Sequence, residues 1–241
     1  MNFSGFPYDF DALHLGAVAL IFLMWWLYGP VLRVLGHGTL NAQLHVVRLK
    51  WMMMMVTSRR ENRVFDAIIM GQISSAMSYF GSATLIVLVG FVGTLASINH
   101  VHASLTQMAF FPPISLGLFT VYFSSLTVIM AICFFSFTYA LRKVAYTLAM
   151  IGGLDEAPGA TPQSEVMIAQ TATVLTEALK SMNNGIRGYY FAVAGLFLFA
   201  GPVVSIIATL LFSFMLYYRQ GLSTEALAIE RYVKAMREEQ G

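Results

Sequence analysis

Apolar residues gather into four long runs along this chain, at about 13–30, 68–98, 114–141 and 188–218, and the stretches between them are basic, polar or rich in turn-formers. A helix rises ~1.5 Å per residue, so about 20 apolar residues cross the ~30 Å hydrocarbon core of a bilayer. Each run therefore predicts a transmembrane helix. The first ends on Trp25, Trp26 and Tyr28, aromatics that favour the headgroup level, and Pro30 bends or ends it before Gly36 and Gly38 interrupt the chain. Thr39 or Asn41 can then cap a helix continuing to Met55, with Leu44, Val47, Trp51 and Met55 at three- and four-residue steps beside Arg48 and Lys50. Such an amphipathic helix lies along the membrane surface or packs under the bundle.

The second run carries a stripe of small residues through Gly71, Ser75, Ser78, Ser82, Gly90 and Gly93. NHVHASLTQMAFFPP, from Asn99 to Pro113, predicts a loop, and Arg142 and Lys143 close the third run. A turn-rich linker, GGLDEAPGATPQ, precedes a polar helix from Ser164, which leads through Gly185 into the fourth run, where Pro202 predicts a kink. Ser223 caps a last amphipathic helix, about 223–239, whose Leu222, Ala226, Ile229, Val233 and Met236 form an apolar line that needs a surface to cover.

Composition agrees with this reading and narrows it. At 58% hydrophobic and 11% charged the chain is far from a globular norm, and too few residues lie outside the runs to build a second soluble core. The expectation is an all-α integral membrane protein: a single domain of four transmembrane helices, with cytoplasmic amphipathic helices and a C-terminal amphipathic helix. Lys and Arg cluster beside the runs and do not spread over a basic surface, which argues against a nucleic-acid partner. The lone Cys133 excludes a disulfide framework and reads as a small buried hydrophobe. Asp9 and Asp11, with no basic residue before Arg33, are the wrong charge for a signal-peptide start, so the first run is expected to be retained as a span.

Sidedness follows from the basic residues close to the spans. Arg33, Arg48, Lys50, Arg59, Arg60 and Arg63 precede the second span, and Arg142, Lys143, Lys180 and Arg187 lie between the third and fourth. Both segments are placed in the cytoplasm, with the N-terminus and the Asn99 to Pro113 loop outside. An even number of spans then puts the C-terminus outside too. The membrane is expected to be a bacterial inner membrane.

Candidate chemistry is sparse. Arg63 and Asp66, three residues apart, share a helical face at the cytoplasmic boundary and serve either as an ion-attracting mouth or as a structural pair. Arg187 and Tyr190 stand at the cytoplasmic end of the fourth run, as helix anchors or as an anion site. Gln72, Ser75, Ser78 and Ser82 could line a hydrophilic path or serve close helix packing. His100 and His102 could offer two metal ligands if their loop is extended, but no carboxylate or thiol lies near them. Met52 to Met55 invite a copper reading, yet consecutive helical residues point in different directions, so adaptable packing is the better account. No nucleophile with an adjacent base, no phosphate-binding glycine loop and no carboxylate pair within a span is present. Neither an enzyme nor a cofactor or metal site is expected.

Three blocks, RRENRVFDAIIMGQISSAMSYFGSATLIVLVG, FFSFTYALRKVAY and NNGIRGYYFAVAGLFLFAGPVVSIIATLLFSFMLYYRQ, resemble the bacterial and plant membrane family catalogued as domain of unknown function 599. The resemblance runs from about Trp51 to Arg219 and is carried best by Asn62, Arg63 and Asp66 before a Ser-rich span and by Arg187 with Tyr189, Tyr190 and Phe191. It implies a four-span helical membrane fold and brings no activity with it. Two roles are then open: a homo-oligomeric passive channel, with hydroxyl-bearing second spans gathered around an axis, or a non-catalytic accessory or scaffold subunit docked on another membrane protein.

Overall fold

The computed structural model describes residues 9–34, 39–57, 64–107, 114–154 and 161–238, and nearly all of them are helical, with no strand among them. In chain order the helices are α1 (Ala12–Val34), α2 (Leu40–Gln43), α3 (His45–Thr57), α4 (Val64–Ala96), α5 (Ile98–Thr106), α6 (Leu116–Gly152), α7 (Pro162–Leu196), α8 (Pro202–Gly221) and α9 (Thr224–Glu238), with a 3-10 turn at Phe197–Ala200. Among the described residues, four helices are long and apolar enough to cross a membrane: α1, α4, α6 and the stretch beginning at Pro202.

Local chemistry explains the boundaries. Asp11 caps α1 by accepting the amides of Leu13 and His14, both at 3.0 Å, and the helix runs on through Pro30 to Val34 without ending there. Thr39 caps α2 through the Ala42 amide at 3.3 Å. The expected continuous helix to Met55 is in fact two, because Leu44 separates α2 from α3. Ser115 Oγ accepts the Leu118 amide at the start of α6, and Thr161 Oγ1 the Ser164 amide at the start of α7. Ser223, as expected, caps α9 through the Ala226 amide. The segment expected to be a loop after Asn99 is instead the helix α5 as far as Thr106; its remainder, from Met108 to Pro113, lies outside the described residues.

The chain divides into two compact units. The first comprises residues 1–31, 82–134 and 185–217. Its core includes Ile21, Tyr28, Tyr122, Leu126, Ile129 and Phe191, each almost fully buried. Here the expected fourth span, 188–218, is not one helix. Gly201, at φ 126° and ψ 155°, adopts a backbone conformation open essentially to glycine alone, and Pro202 restarts the chain as the first residue of α8. Ser205 Oγ donates to the Ala194 carbonyl at 3.2 Å, while the rings of Tyr190 and Phe212 approach to 6.4 Å. Residue numbers fall along α7 as they rise along α8, so the two run antiparallel as a helical hairpin. Where Pro202 was expected to kink a single helix, the Gly201–Pro202 pair reverses it.

Small residues make room on the α7 side of that hairpin. A Cβ at Gly188 would run into Cys133 Sγ and the Trp25 ring, and one at Gly195 would meet Leu126 Cδ2 at 2.6 Å.

The second unit comprises residues 32–81, 135–184 and 218–241. Its core joins Met52 and Met55 of α3, Met70 and Met77 of α4, and Val144 and Leu175 of α6 and α7. Met54 is exposed, so the four consecutive methionines split between core and surface, as helical geometry demands. The apolar line of α9 is buried at Ala226, Val233 and Met236, and α9 contacts α2 and α3. That contact bears on the side of the membrane expected for the C-terminus.

Candidate functional site

In the second unit α4 has two unlike faces. Asp66, Met70 and Met77 recur at steps of four and seven and are buried, whereas Gln72, Ser75 and Ser78 are all exposed. Ser82, one helical turn further on and within the first unit, is exposed as well. The hydroxyl and amide groups read as a candidate path or interface thus do not pack inside the chain. The glycines agree: added Cβ atoms at Gly71, Gly90 and Gly93 would meet nothing within 4 Å. Only 11% of the span on α4 is buried, against 39% of that on α6.

Of the pair expected at the cytoplasmic mouth, Arg63 lies outside the described residues. Asp66 is 2% exposed and accepts a 2.7 Å hydrogen bond from Trp51 Nε1. That bond ties the start of α4 to α3.

A second polar node in this unit centres on Arg48. Its Nη1 donates to the Asn41 carbonyl at 3.0 Å and to Thr176 Oγ1 at 3.1 Å, and its Nη2 donates to Asn41 Oδ1 at 2.8 Å. Asn41 is steadied in turn by donating from Nδ2 to the Thr176 carbonyl. Burial pushes the Arg48 guanidinium down to about 10. Thr176 Oγ1 gives its only hydrogen to the Ala172 carbonyl at 2.8 Å, so the 3.0 Å contact with His45 must run from His45 Nδ1–H to the hydroxyl oxygen. The His45 tautomer is thereby fixed, with Nε2 left over. Arg48 carried a sequence signal, an arginine beside the apolar stripe of an amphipathic helix, but its partner on α7 lies 128 residues away and no local pattern predicts it.

The first unit holds the remaining candidates, and they anchor helices to one another. Arg187 lies over the Tyr28 ring at 4.5 Å, Tyr28 stacks on Tyr217 at 4.9 Å, and the Tyr28 hydroxyl donates to the Leu216 carbonyl. A guanidinium against an aromatic face gains a cation–π attraction that strengthens as water is excluded. Tyr190 packs towards Phe212, and the Tyr189 hydroxyl bonds Thr84. These contacts join α1, α4, α7 and α8. Arg187 and Tyr190 therefore belong to this unit's packing, while Asp66 belongs to the other unit.

His100 and His102 do not form the two-ligand arrangement that an extended loop would give. They sit on α5, where a two-residue step turns side chains by about 200°, and His102 Nε2 is engaged at 2.8 Å with the Ile114 carbonyl. Among the described residues no group of three or more His, Cys, Asp and Glu gathers as a metal site would. His102, Thr106, Phe119, Phe123 and Phe199 help to line an apolar cavity of about 230 Å³. The Asp9 carboxylate, 106 residues away in sequence, accepts from the Ser115 amide at 2.8 Å and from its hydroxyl at 2.6 Å. Burial opposes ionisation there, but the Ser115 hydrogen bonds outweigh it and hold Asp9 below its ordinary value.

No curated protein and no solved structure matches this chain. Residues 16–225 match the family described as "Protein of unknown function, DUF599", and the blocks that suggested it in the sequence lie inside that range. That range takes in most of the four apolar spans together with Asp66 and Arg187, and the chain belongs to the DUF599 family.

Proposed function

We propose that this protein is a homo-oligomeric, passive membrane channel whose protomers meet along α4. The observation that carries the reading is the outward face of that helix. Gln72, Ser75 and Ser78 are exposed, and the neighbouring Gly71 has open space beside it. In hydrocarbon a primary amide and hydroxyls without partners cost several kcal/mol in the limit of no hydrogen bonding, about 2–7 kcal/mol for an amide-like group. Water in a pore, or the matching face of a second copy, relieves that cost. Small residues on the same face let backbones approach closely. A passive conduit needs no titratable group at its centre, and none of the proposed steps calls for a catalytic residue.

The same exposure supports a second reading, an accessory or scaffold subunit whose α4 face docks on another membrane protein. Purified protein in liposomes separates the two. A channel passes ions from a symmetric self-assembly, and Gln72→Leu combined with Ser75→Leu abolishes flux while the assembly persists. Absence of flux from a verified oligomer ends the channel reading; constant co-extraction with one other membrane protein favours the scaffold.

We also propose a bacterial inner membrane, with the connector containing Arg48 and Lys50 in the cytoplasm. The rule that Lys and Arg gather on the cytoplasmic side supports this. Contact of α9 with α2 and α3 supports a cytoplasmic C-terminus, and in this proposed threading the α7–α8 hairpin is the extra crossing.

A further inference from the structure

We propose that Arg48, with His45 beside it, forms a binding site for a phosphate-type oxyanion. The argument starts from donor accounting. A guanidinium carries five N–H groups in a rigid fork, and three of those on Arg48 are used, by the Asn41 carbonyl, Asn41 Oδ1 and Thr176 Oγ1. The Nε–H and one Nη2–H remain. Every acceptor in use is neutral, and among the described residues no carboxylate reaches Arg48. Glu177, next to Thr176 in sequence, is committed to Lys180 at 2.9 and 3.1 Å.

A half-buried cation of this kind has lost hydration without gaining a counter-charge, an arrangement that folding alone disfavours. Three neutral acceptors from α2 and α7 nevertheless hold the guanidinium in place. Such pre-organisation suits recognition: a fixed fork with two donors to spare matches two oxygens of a phosphate, which arginine binds bidentately. His45 helps to hold the node: its Nδ1–H donates to the same Thr176 hydroxyl oxygen that accepts from Arg48. Asn41 and Thr176 act as positioning residues, and Arg48 is the binding group.

The headgroup of an anionic phospholipid and a free phosphate or phosphorylated solute offer the same oxygens, and the experiment separates them. The full-length protein is titrated with inorganic phosphate in non-ionic detergent at constant ionic strength, and in parallel its unfolding midpoint is compared in nanodiscs of phosphatidylcholine with and without phosphatidylglycerol. Stabilisation by inorganic phosphate identifies a soluble ligand class; stabilisation by phosphatidylglycerol alone identifies a lipid headgroup. Arg48→Gln weakens the response by about tenfold or more, the equivalent of one charged hydrogen bond, whereas Arg231→Gln on the exposed side of α9 leaves it unchanged. Arg48→Lys keeps the charge but not the fork, and carries the test if the glutamine variant fails to fold; it too binds more weakly than wild type. The proposal is overturned if neither probe stabilises the wild-type protein, if Arg48→Lys binds as tightly as wild type, or if Arg231→Gln weakens binding as much as the Arg48 variants. These outcomes are independent of ion flux, so the channel and the oxyanion site stand or fall separately.

Discussion

Single contacts divide the polar residues of this chain into those that hold it together and those left over. Trp51 and Asp66 belong to the first group: the carboxylate is buried and its Oδ1 takes the indole N–H at 2.7 Å. Trp51→Phe keeps most of the ring and removes that donor, and is expected to cost about 1.5–3 kcal/mol, the range for a hydrogen bond to a charged group, read as a lower unfolding midpoint in detergent. Gly188 is a steric counterpart. Gly188→Val forces a side chain onto Cys133 and Trp25 and is expected to destabilise by roughly 1–3 kcal/mol, and Cys133→Ala in the same chain recovers part of the loss. Asp9 makes stability depend on pH. Its folded-state pKa lies below the unfolded value, so its contribution is present above the ordinary carboxylate range and is lost as pH falls through the depressed value. Ser115→Ala removes one of the two Ser115 hydrogen bonds, and the fall of the unfolding midpoint on acidification becomes shallower.

At the scale of helices, the consequential device is the Gly201–Pro202 turn. Read along the sequence, 188–218 is one unbroken apolar run with a proline inside it, and nothing in its composition distinguishes a kinked span from two antiparallel ones. The difference lies in a single φ of 126°. Gly201→Ala places a Cβ in a region that L residues avoid and is expected to cost about 1–3 kcal/mol. The check is cross-linking of a cysteine pair introduced at Ala194 and Ser205, which forms readily in the parent and poorly in the Gly201→Ala variant. Helix α9 behaved otherwise. Its cap, its length and the buried line of Ala226, Val233 and Met236 were legible because the period of three and four persists beneath a charged outer face. Only its partner, α2 and α3, was not.

For the whole molecule, sidedness and assembly are the quantities that matter, and both depend on contacts distant in sequence. Counting spans predicts a C-terminus outside, whereas the packing of α9 on α2 and α3 supports the proposal that it lies with the basic connector. With Cys133 replaced by Ser, a cysteine at Glu230 and one at Thr39 are expected to react with a membrane-impermeant maleimide from the same side of sealed vesicles. Labelling from opposite sides would refute the shared placement. Assembly is the companion question. If α4 faces a second copy, Gly90→Leu lowers the oligomer fraction by size-exclusion chromatography, although the open space beside Gly90 spares the fold of the single chain.

Sequence alone determined the helical class, the presence of four apolar runs, the different directions of Met52 to Met55, and the cap at Ser223. Each of these is written in a short window, as hydropathy, as a period near 3.6 or as a capping side chain beside its amide. Tertiary structure decided which side of α4 faces outward, where the chain turns back at Gly201, and how Arg48 is held by α2 and α7. The physical reason is the solvent. In water the apolar face of a helix is its inner face, but a bilayer accepts apolar residues on every side, so hydropathy no longer says which face is buried. On α4 the answer came from the packing of Asp66, Met70 and Met77 inward, which turns Gln72, Ser75 and Ser78 out.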